Sequence, residues 1–189
     1  MNGNEEDKVS VPKEKYVEII GYTAYAYLTG KITKYSGMAG GRMRTLGEFI
    51  ENFIYGKLAE AGFGIFLKNR LSLDALTEID VADFYYGTYL PDIVAVEKSG
   101  SYDPLKFWID VKETRRDQKW LLVSKSSADV RPYDAYAAVW VDLPQEHVLW
   151  MLSQLPDIKK KMGEDWLKRA EEITESIKNI SCTVQGFAT

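Results

Sequence analysis

Three side chains in the middle of the sequence have the types and spacing that metal-assisted hydrolysis requires. Asp110 and Lys112 lie in the run Leu105–Glu113, which is typical of a β-strand. Because side chains alternate along a strand, both point to the same face, about 7 Å apart. Asp92 lies directly behind Pro91 near the start of another β-rich run, Tyr89–Val96. Carboxylates are ligands that Mg²⁺ prefers, and a nearby ammonium group can steady an attacking water and developing negative charge.

The acid-x-Lys triplet is not informative by itself, because the chain contains it four times. The four copies are Glu6-Asp7-Lys8, Asp110-Val111-Lys112, Asp117-Gln118-Lys119 and Asp157-Ile158-Lys159. The first lies in a polar tail, the third in a charged connection, and the fourth opens a lysine-rich helix, where an aspartate favours the helix terminus. Only the second lies in an apolar strand, with a Pro-Asp pair 18 positions upstream.

The N-terminal part of the chain predicts two helices joined by a loop. Residues 16–29 are aromatic and apolar without proline, which indicates a largely buried helix. Four glycines within residues 34–47 favour a loop. Apolar residues at helical spacing predict an amphipathic helix over 46–61, with Gly62 as its C-terminal cap. Phe63–Leu67 is expected to be a short strand.

The middle and C-terminal parts predict a sheet followed by helices. The runs Tyr89–Val96 and Leu105–Glu113 are separated by turn residues and are typical of a hairpin. The apolar run Ala135–Leu143 is expected to be a strand buried on both faces. Residues 145–155 and 157–180 are expected to be helical, the second with an apolar stripe that packs on the core or on a partner. This order predicts one α/β domain with a central mixed β-sheet flanked by helices.

Composition excludes several classes of protein. The 189 residues are 46% hydrophobic, which suits one domain with its own core and excludes a disordered chain. A single cysteine, Cys182, and a single histidine, His147, argue against a disulfide framework, a zinc cluster and a histidine-based nucleophilic triad. The net charge of −4 argues against a surface that is basic all over. No apolar run spans a membrane and the polar N-terminus has no signal core, so no membrane association and no secretion are expected.

The motif resembles that of the PD-(D/E)XK nuclease superfamily. Pro91-Asp92 matches the PD element, and Asp110-Val111-Lys112 matches the (D/E)XK element. The resemblance covers residues 46–143 and is closest in form to a type II restriction endonuclease. It implies a restriction-endonuclease-like core over those residues. Residues 1–45 would form an N-terminal helical arm with a basic glycine-rich loop, and 144–189 would form C-terminal helices.

The resemblance also implies an activity. A type II restriction endonuclease is a prokaryotic, cytoplasmic homodimer that cleaves both strands of double-stranded DNA at a short specific site. It requires Mg²⁺ and no small-molecule cofactor, and it leaves 5′-phosphate ends. By this resemblance Asp92 and Asp110, with Glu51 and the Val111 carbonyl, would hold one or two Mg²⁺, and Lys112 would position and activate the attacking water. The helix over 157–180 is the candidate dimer surface.

Members of the superfamily often place a glutamate on the helix before the hairpin, in a GxxxE…L…G(F/Y) pattern. Here the pattern is Gly47-Glu48-Phe49-Ile50-Glu51, then Leu58, then Gly62-Phe63. Glu51 falls beside the apolar stripe of the predicted helix, and Glu48 falls on the opposite side, toward solvent. Glu51 is therefore the preferred candidate for a carboxylate near the metal, and an ordinary surface role for it remains open.

Two basic segments are candidates for DNA contact. One comprises Arg42, Met43 and Arg44 in the glycine-rich segment, where arginine could pair with guanine and methionine could wedge between base steps. The other comprises Arg115, Arg116 and Lys119, directly after the strand that carries Asp110, where phosphate contacts are expected. Solvated loops are the alternative for both segments.

Three other functions remain open at this stage. One is a structure-specific or repair nuclease of the same superfamily, such as a junction resolvase. Another is a DNA-binding module that kept the fold without catalysis. The third is a structural α/β protein in which the two aspartates and the lysine form a salt-bridge set on a solvated sheet face.

Overall fold

The computed structural model describes residues 7–28, 46–81, 91–114, 121, 123 and 133–189. These residues form a mixed α/β structure. The strands are β1 (Lys8–Pro12), β2 (Ala75–Thr77), β3 (Ile93–Lys98), β4 (Ser101–Pro104), β5 (Ile109–Thr114), β6 (Ala135–Asp142) and β7 (Asn179–Ala188). The helices are α1 (Lys13–Leu28), α2 (Leu46–Leu71), α3 (His147–Ser153), α4 (Pro156–Lys159), α5 (Glu164–Glu172) and α6 (Thr174–Lys178), with a 3₁₀ turn at Ile79–Val81.

The strands form two sheets. The first has the order β1-β7-β6-β5, in which β5 and β6 are parallel and the other pairs are antiparallel. The second is antiparallel, with the order β2-β3-β4. The predicted mixed sheet flanked by helices is therefore confirmed. Strand β5 is at the edge of its sheet, and this edge is where the candidate site lies.

Helix α2 is ten residues longer than the sequence indicated, and both predictions at its end are wrong. Gly62 does not end the helix and Phe63–Leu67 is not a strand, because α2 continues to Leu71. Glycine is required at position 62 for packing: a Cβ there would lie 2.6 Å from the Cβ of Cys182 and 2.9 Å from its Sγ. Such distances are far below ordinary contact, so only glycine lets α2 lie this close to β7.

The predicted hairpin also needs correction. Strand β3 pairs with β4, which precedes the predicted second strand, with Val96 opposite Asp103. Leu105 continues this pairing by donating its N–H to the carbonyl of Val94. The chain then bends over residues 106–108, and β5 pairs in parallel with β6 instead. The interruption could not be read from the sequence, because Phe107 and Trp108 are apolar and yet exposed.

The C-terminal segment differs most from expectation. The predicted helix over 157–180 is divided into α4, α5 and α6, and the chain ends in strand β7, which the sequence analysis missed. Strand β7 lies between β1 and β6 in the first sheet. Strand β6 is fully buried on one face only, since its other face is half-buried at Tyr136, Ala138 and Trp140.

The buried apolar side chains form one cluster that includes residues of β1, α1, α2, the two sheets and the C-terminal helices. Helix α2 contacts four strands of the first sheet, β1, β5, β6 and β7. Through this contact it brings its own charged residues beside the edge strand β5.

Candidate active site

Asp92 reaches the edge of β5 although its own strand is not paired with β5. It directly precedes β3, and its Oδ2 accepts a hydrogen bond from the N–H of Val111 at 2.6 Å. The carboxylate thus lies on the edge of β5 that pairs with no other strand among the described residues, called here the free edge of β5. Asp92 does lie beside β5, as predicted. The contact is a hydrogen bond from the β5 backbone to the Asp92 side chain, and β3 and β5 are not paired as a hairpin.

Asp110 and Lys112 lie on the same side of β5, as their spacing predicts. Lys112 Nζ donates to Asp110 Oδ1 at 2.8 Å and lies 2.6 Å from Oδ2. The Asp110 residue is only 3% exposed, whereas the Lys112 side chain is 36% exposed. Asp110 Oδ2 is buried and accepts no hydrogen bond, because its contact with the ammonium group is electrostatic and lacks hydrogen-bond geometry. An oxygen in this state retains a free lone pair for a cation.

The two aspartates interact strongly. Burial raises the pKa of Asp92 to about 7, and the Asp110 carboxylate adds to the rise, while Lys57 opposes it. The charge of Asp110 acts directly on Asp92, so the two carboxyl groups lie near each other. Two like charges this close require a proton or a cation between them.

The positive charge opposing the rise at Asp92 belongs to a buried cluster that the sequence analysis missed. Lys57, on α2, is 6% exposed and donates to both oxygens of Glu60, at 2.6 and 2.7 Å. It also donates to Glu78 Oε2 at 2.5 Å. Asp92 acts electrostatically on both Lys57 and Glu60, so this cluster and the edge of β5 form one charged site.

Glu78 is presented to this cluster by a tight turn between β2 and the 3₁₀ turn. Asp80 Oδ2 accepts the N–H of Thr77 at 2.7 Å and its hydroxyl at 2.8 Å. Lys15, on α1, pairs with the other oxygen of Asp80 at 2.6 Å. These contacts hold the backbone on both sides of Glu78.

The pKa shifts of Lys57 and Glu60 point to different charge states for their pair. Burial lowers the pKa of Lys57, but the carboxylates of Glu60, Glu78 and Asp92 outweigh burial and raise it. Burial raises the pKa of Glu60 well above its usual value, against the effect of Lys57. Both pKa shifts arise because the single ammonium group of Lys57 lies among three carboxylates, those of Glu60, Glu78 and Asp92. We take the pair as charged, since both Glu60 oxygens accept from Nζ.

Glu60, and not Glu51, is the carboxylate that α2 brings to Asp92. The two glutamates are nine residues apart, which is about 13.5 Å along a helix and half a turn out of phase. Glu51 is exposed and acts on Tyr55 together with Glu113. Glu48 is half-buried. The sequence did contain a signal for Glu60, because Gly56-Lys57-Leu58-Ala59-Glu60 repeats the GxxxE spacing before Gly62-Phe63.

The residues present fit one hard cation with few protein ligands. No group of three or more histidine, cysteine, aspartate or glutamate side chains at metal-binding distance occurs among the described residues. Mg²⁺ commonly binds through one or two carboxylates and keeps its other ligands as water or substrate phosphate. Asp92 and Asp110, with the free lone pair of Asp110 Oδ2, meet that requirement. The position of Glu51, half a turn from Glu60 on α2, does not support its predicted metal ligation here, whereas ligation by the Val111 carbonyl remains a prediction.

The predicted DNA contacts all lie outside the described residues. They are Arg42, Met43, Arg44, Arg115, Arg116 and Lys119. Their roles remain predictions.

Comparison with known proteins does not identify a family. No family model matches the chain, and neither a curated protein nor a solved structure is significantly similar to it. In the part of the chain that the structure describes, no helix combines the length and apolarity of a membrane span.

Proposed function

We propose that this protein is a metal-dependent endonuclease that hydrolyses phosphodiester bonds of double-stranded DNA. The observation that supports this most is the meeting of Asp92, Asp110 and Lys112 at the free edge of β5. The three groups come from two segments, since Asp92 directly precedes β3 whereas Asp110 and Lys112 lie on β5, and they meet although β3 and β5 do not form the predicted hairpin. Asp110 is buried and Asp92 is half-buried, and a chance surface salt bridge has no reason to withdraw two carboxylates from solvent in this way.

The charge of the site explains why a metal would be needed. Two ammonium groups face four carboxylates there, which leaves a formal charge of −2 among the described residues: Lys57 and Lys112 against Glu60, Glu78, Asp92 and Asp110. A DNA phosphate is itself an anion and would be repelled by such a site. A divalent cation removes that repulsion, so catalysis and DNA approach are both expected to depend on it.

Each residue then has a chemical role. Asp92 and Asp110 would hold Mg²⁺, which when bound supplies a Lewis acid for the scissile phosphate. Lys112 has the most exposed charged group of the three and is already fixed by Asp110. Its ammonium group can therefore donate to an attacking water or to a phosphate oxygen and stabilise charge in the transition state. The N–H of Val111 holds Asp92 in orientation.

Cleavage at a short specific site, as in a type II restriction endonuclease, is the narrower form of the proposal. This narrower form rests on the sequence resemblance alone, as do the predicted homodimer and the predicted 5′-phosphate ends.

Digestion of a sequenced plasmid with and without Mg²⁺, followed by mapping of the ends, tests the proposal. We expect discrete fragments with 5′-phosphate ends, and a loss of cleavage of at least about 100-fold in Asp110→Asn. The matched control is Asp103→Asn, which changes an exposed aspartate of β4. Cutting of branched DNA alone would favour the structure-specific nuclease. Absence of cleavage of any DNA at saturating Mg²⁺ would refute the proposal.

A further inference from the structure

The ammonium group of Lys57 is fully engaged by carboxylate oxygens. It contacts two oxygens of Glu60 and one of Glu78, all at 2.5–2.7 Å. A lysine ammonium has three N–H donors, so these contacts use all of them. A group in this state acts as a fixed cation placed among carboxylates beside the Asp92–Asp110 pair.

From this geometry we propose that Lys57 serves as a built-in second cation, so that the site binds one divalent metal ion per chain and not two. The inference rests on the proposed function. It names a positioning role for Lys57, which fixes Glu60 and Glu78 and withdraws them from metal binding. Asp92 and Asp110 remain as the protein ligands of the single ion.

The charge balance supports one ion. With Lys57 and Lys112 both protonated, the four carboxylates that the described residues place at the site leave a formal charge of −2, which one divalent cation neutralises. Two divalent cations would leave the same site at +2 in a largely buried position. An uncompensated charge there is costly, whatever its sign.

The surroundings hold Lys57 where a second ion would otherwise lie. Its Nζ is 5.6 Å from the centroid of the Phe53 ring, which adds a cation–π contact. Glu78 is fixed by the turn at Asp80, and Glu60 lies on the same helix three residues away. Lys57 can therefore leave the carboxylates only if several elements move together.

The stoichiometry of Mn²⁺ binding to the metal-free, DNA-free chain tests this inference. Mn²⁺ suits carboxylate and water ligands, and its free concentration can be counted by electron paramagnetic resonance. We expect one ion per chain for the wild type and two for Lys57→Met, in which Glu60 and Glu78 become available. The control is Lys15→Met, which also removes a lysine paired with two carboxylates, Glu18 and Asp80, and should bind one ion.

The outcomes separate this inference from the proposed function. Two ions in the wild type, or one in Lys57→Met, would overturn the inference and leave the nuclease proposal intact. No Mn²⁺ binding together with no DNA cleavage would overturn both. Should Lys57→Met unfold without metal, we expect Mn²⁺ to restore its circular dichroism and thermal transition, and lack of recovery at saturating Mn²⁺ would also overturn the inference.

Discussion

Replacing Asp92 by asparagine should change how the stability of the metal-free protein depends on pH. Asparagine keeps the shape of the side chain and an oxygen that can accept the N–H of Val111, and it removes one of the two adjacent charges. The folded wild type raises the pKa of Asp92 from 3.8 to about 7, with burial as the main cause. Between these values the folded protein binds a proton that the unfolded chain has lost. This contribution to stability therefore falls as pH rises through that range.

The size of the effect follows from the shift. One pKa unit corresponds to about 1.4 kcal/mol, so between pH 5 and pH 7 the Asp92 term can cost at most about 2.7 kcal/mol. Local relaxation and water reduce this, and we expect about half of it. The free energy of unfolding of Asp92→Asn should therefore increase, relative to that of the wild type, by about 1–2 kcal/mol between pH 5 and pH 8.

Urea denaturation in EDTA at several pH values measures this difference. The difference between variant and wild type matters, because buried His147 contributes an opposite slope in both proteins and cancels. Asp103→Asn on β4 serves as the control and should show a constant difference. Parallel stability curves for Asp92→Asn and the wild type from pH 5 to pH 8 would refute the account of two carboxyl groups sharing one site.

Three further predictions follow from the packing. Gly62→Ala should lower the free energy of unfolding by about 1–3 kcal/mol, since the added Cβ would overlap Cys182. Gly56→Ala has open space at that point, so it should leave the free energy of unfolding unchanged or raise it by up to about 1 kcal/mol. Urea denaturation measures both effects. Burial lowers the pKa of His147 to about 4, so its contribution to stability should fall as pH drops from about 6.5 toward 4, and in the same assay the free energy of unfolding of His147→Gln should rise relative to that of the wild type over this range. Trp166 in α5 is 61% exposed and should be buried by the partner subunit in the predicted homodimer. Sedimentation should therefore show Trp166→Asp as a monomer and the wild type as a dimer. Equal masses would show that Trp166 is not part of the dimer surface.

The part of the site that the sequence could predict is local in the chain. Asp110 and Lys112 share a face because strand alternation depends only on neighbouring residues. Asp92 was recognisable from its proline and its apolar run. The position of Asp92 at the free edge of β5 could not be predicted, because that position depends on the bend over residues 106–108. The apolar residues of this segment gave no sign of a turn.

The buried charges of α2 could not be inferred from helical periodicity. Lys57 and Glu60 are charged residues of kinds that usually lie on the exposed face of a helix, so the sequence predicts that they contact solvent. Their burial depends on Glu78 and Asp92, which are distant in sequence and come near only in the folded chain.

The C-terminal error has a different cause. Ile173, Ile177 and Ile180 continue a helical spacing, and all three are buried. The chain nevertheless changes from helix to strand at Asn179, and alternation then places Ile180, Cys182 and Val184 in the core. At such a junction one buried residue can fit both the helical spacing of three to four residues and the strand spacing of two. Periodicity alone therefore does not show where the helix ends and the strand begins.

The most direct test of the central claim compares cleavage and binding in Lys112→Met. The variant keeps much of the apolar stem and removes the ammonium group that pairs with Asp110, and Lys160→Met, at an exposed helix end, is the matched control. The measurement is the rate of conversion of supercoiled plasmid with Mg²⁺, at protein concentrations that give equal DNA occupancy. We expect a rate at least about 100-fold below wild type for Lys112→Met and an unchanged rate for the control. Cleavage by Lys112→Met at the wild-type rate would contradict it.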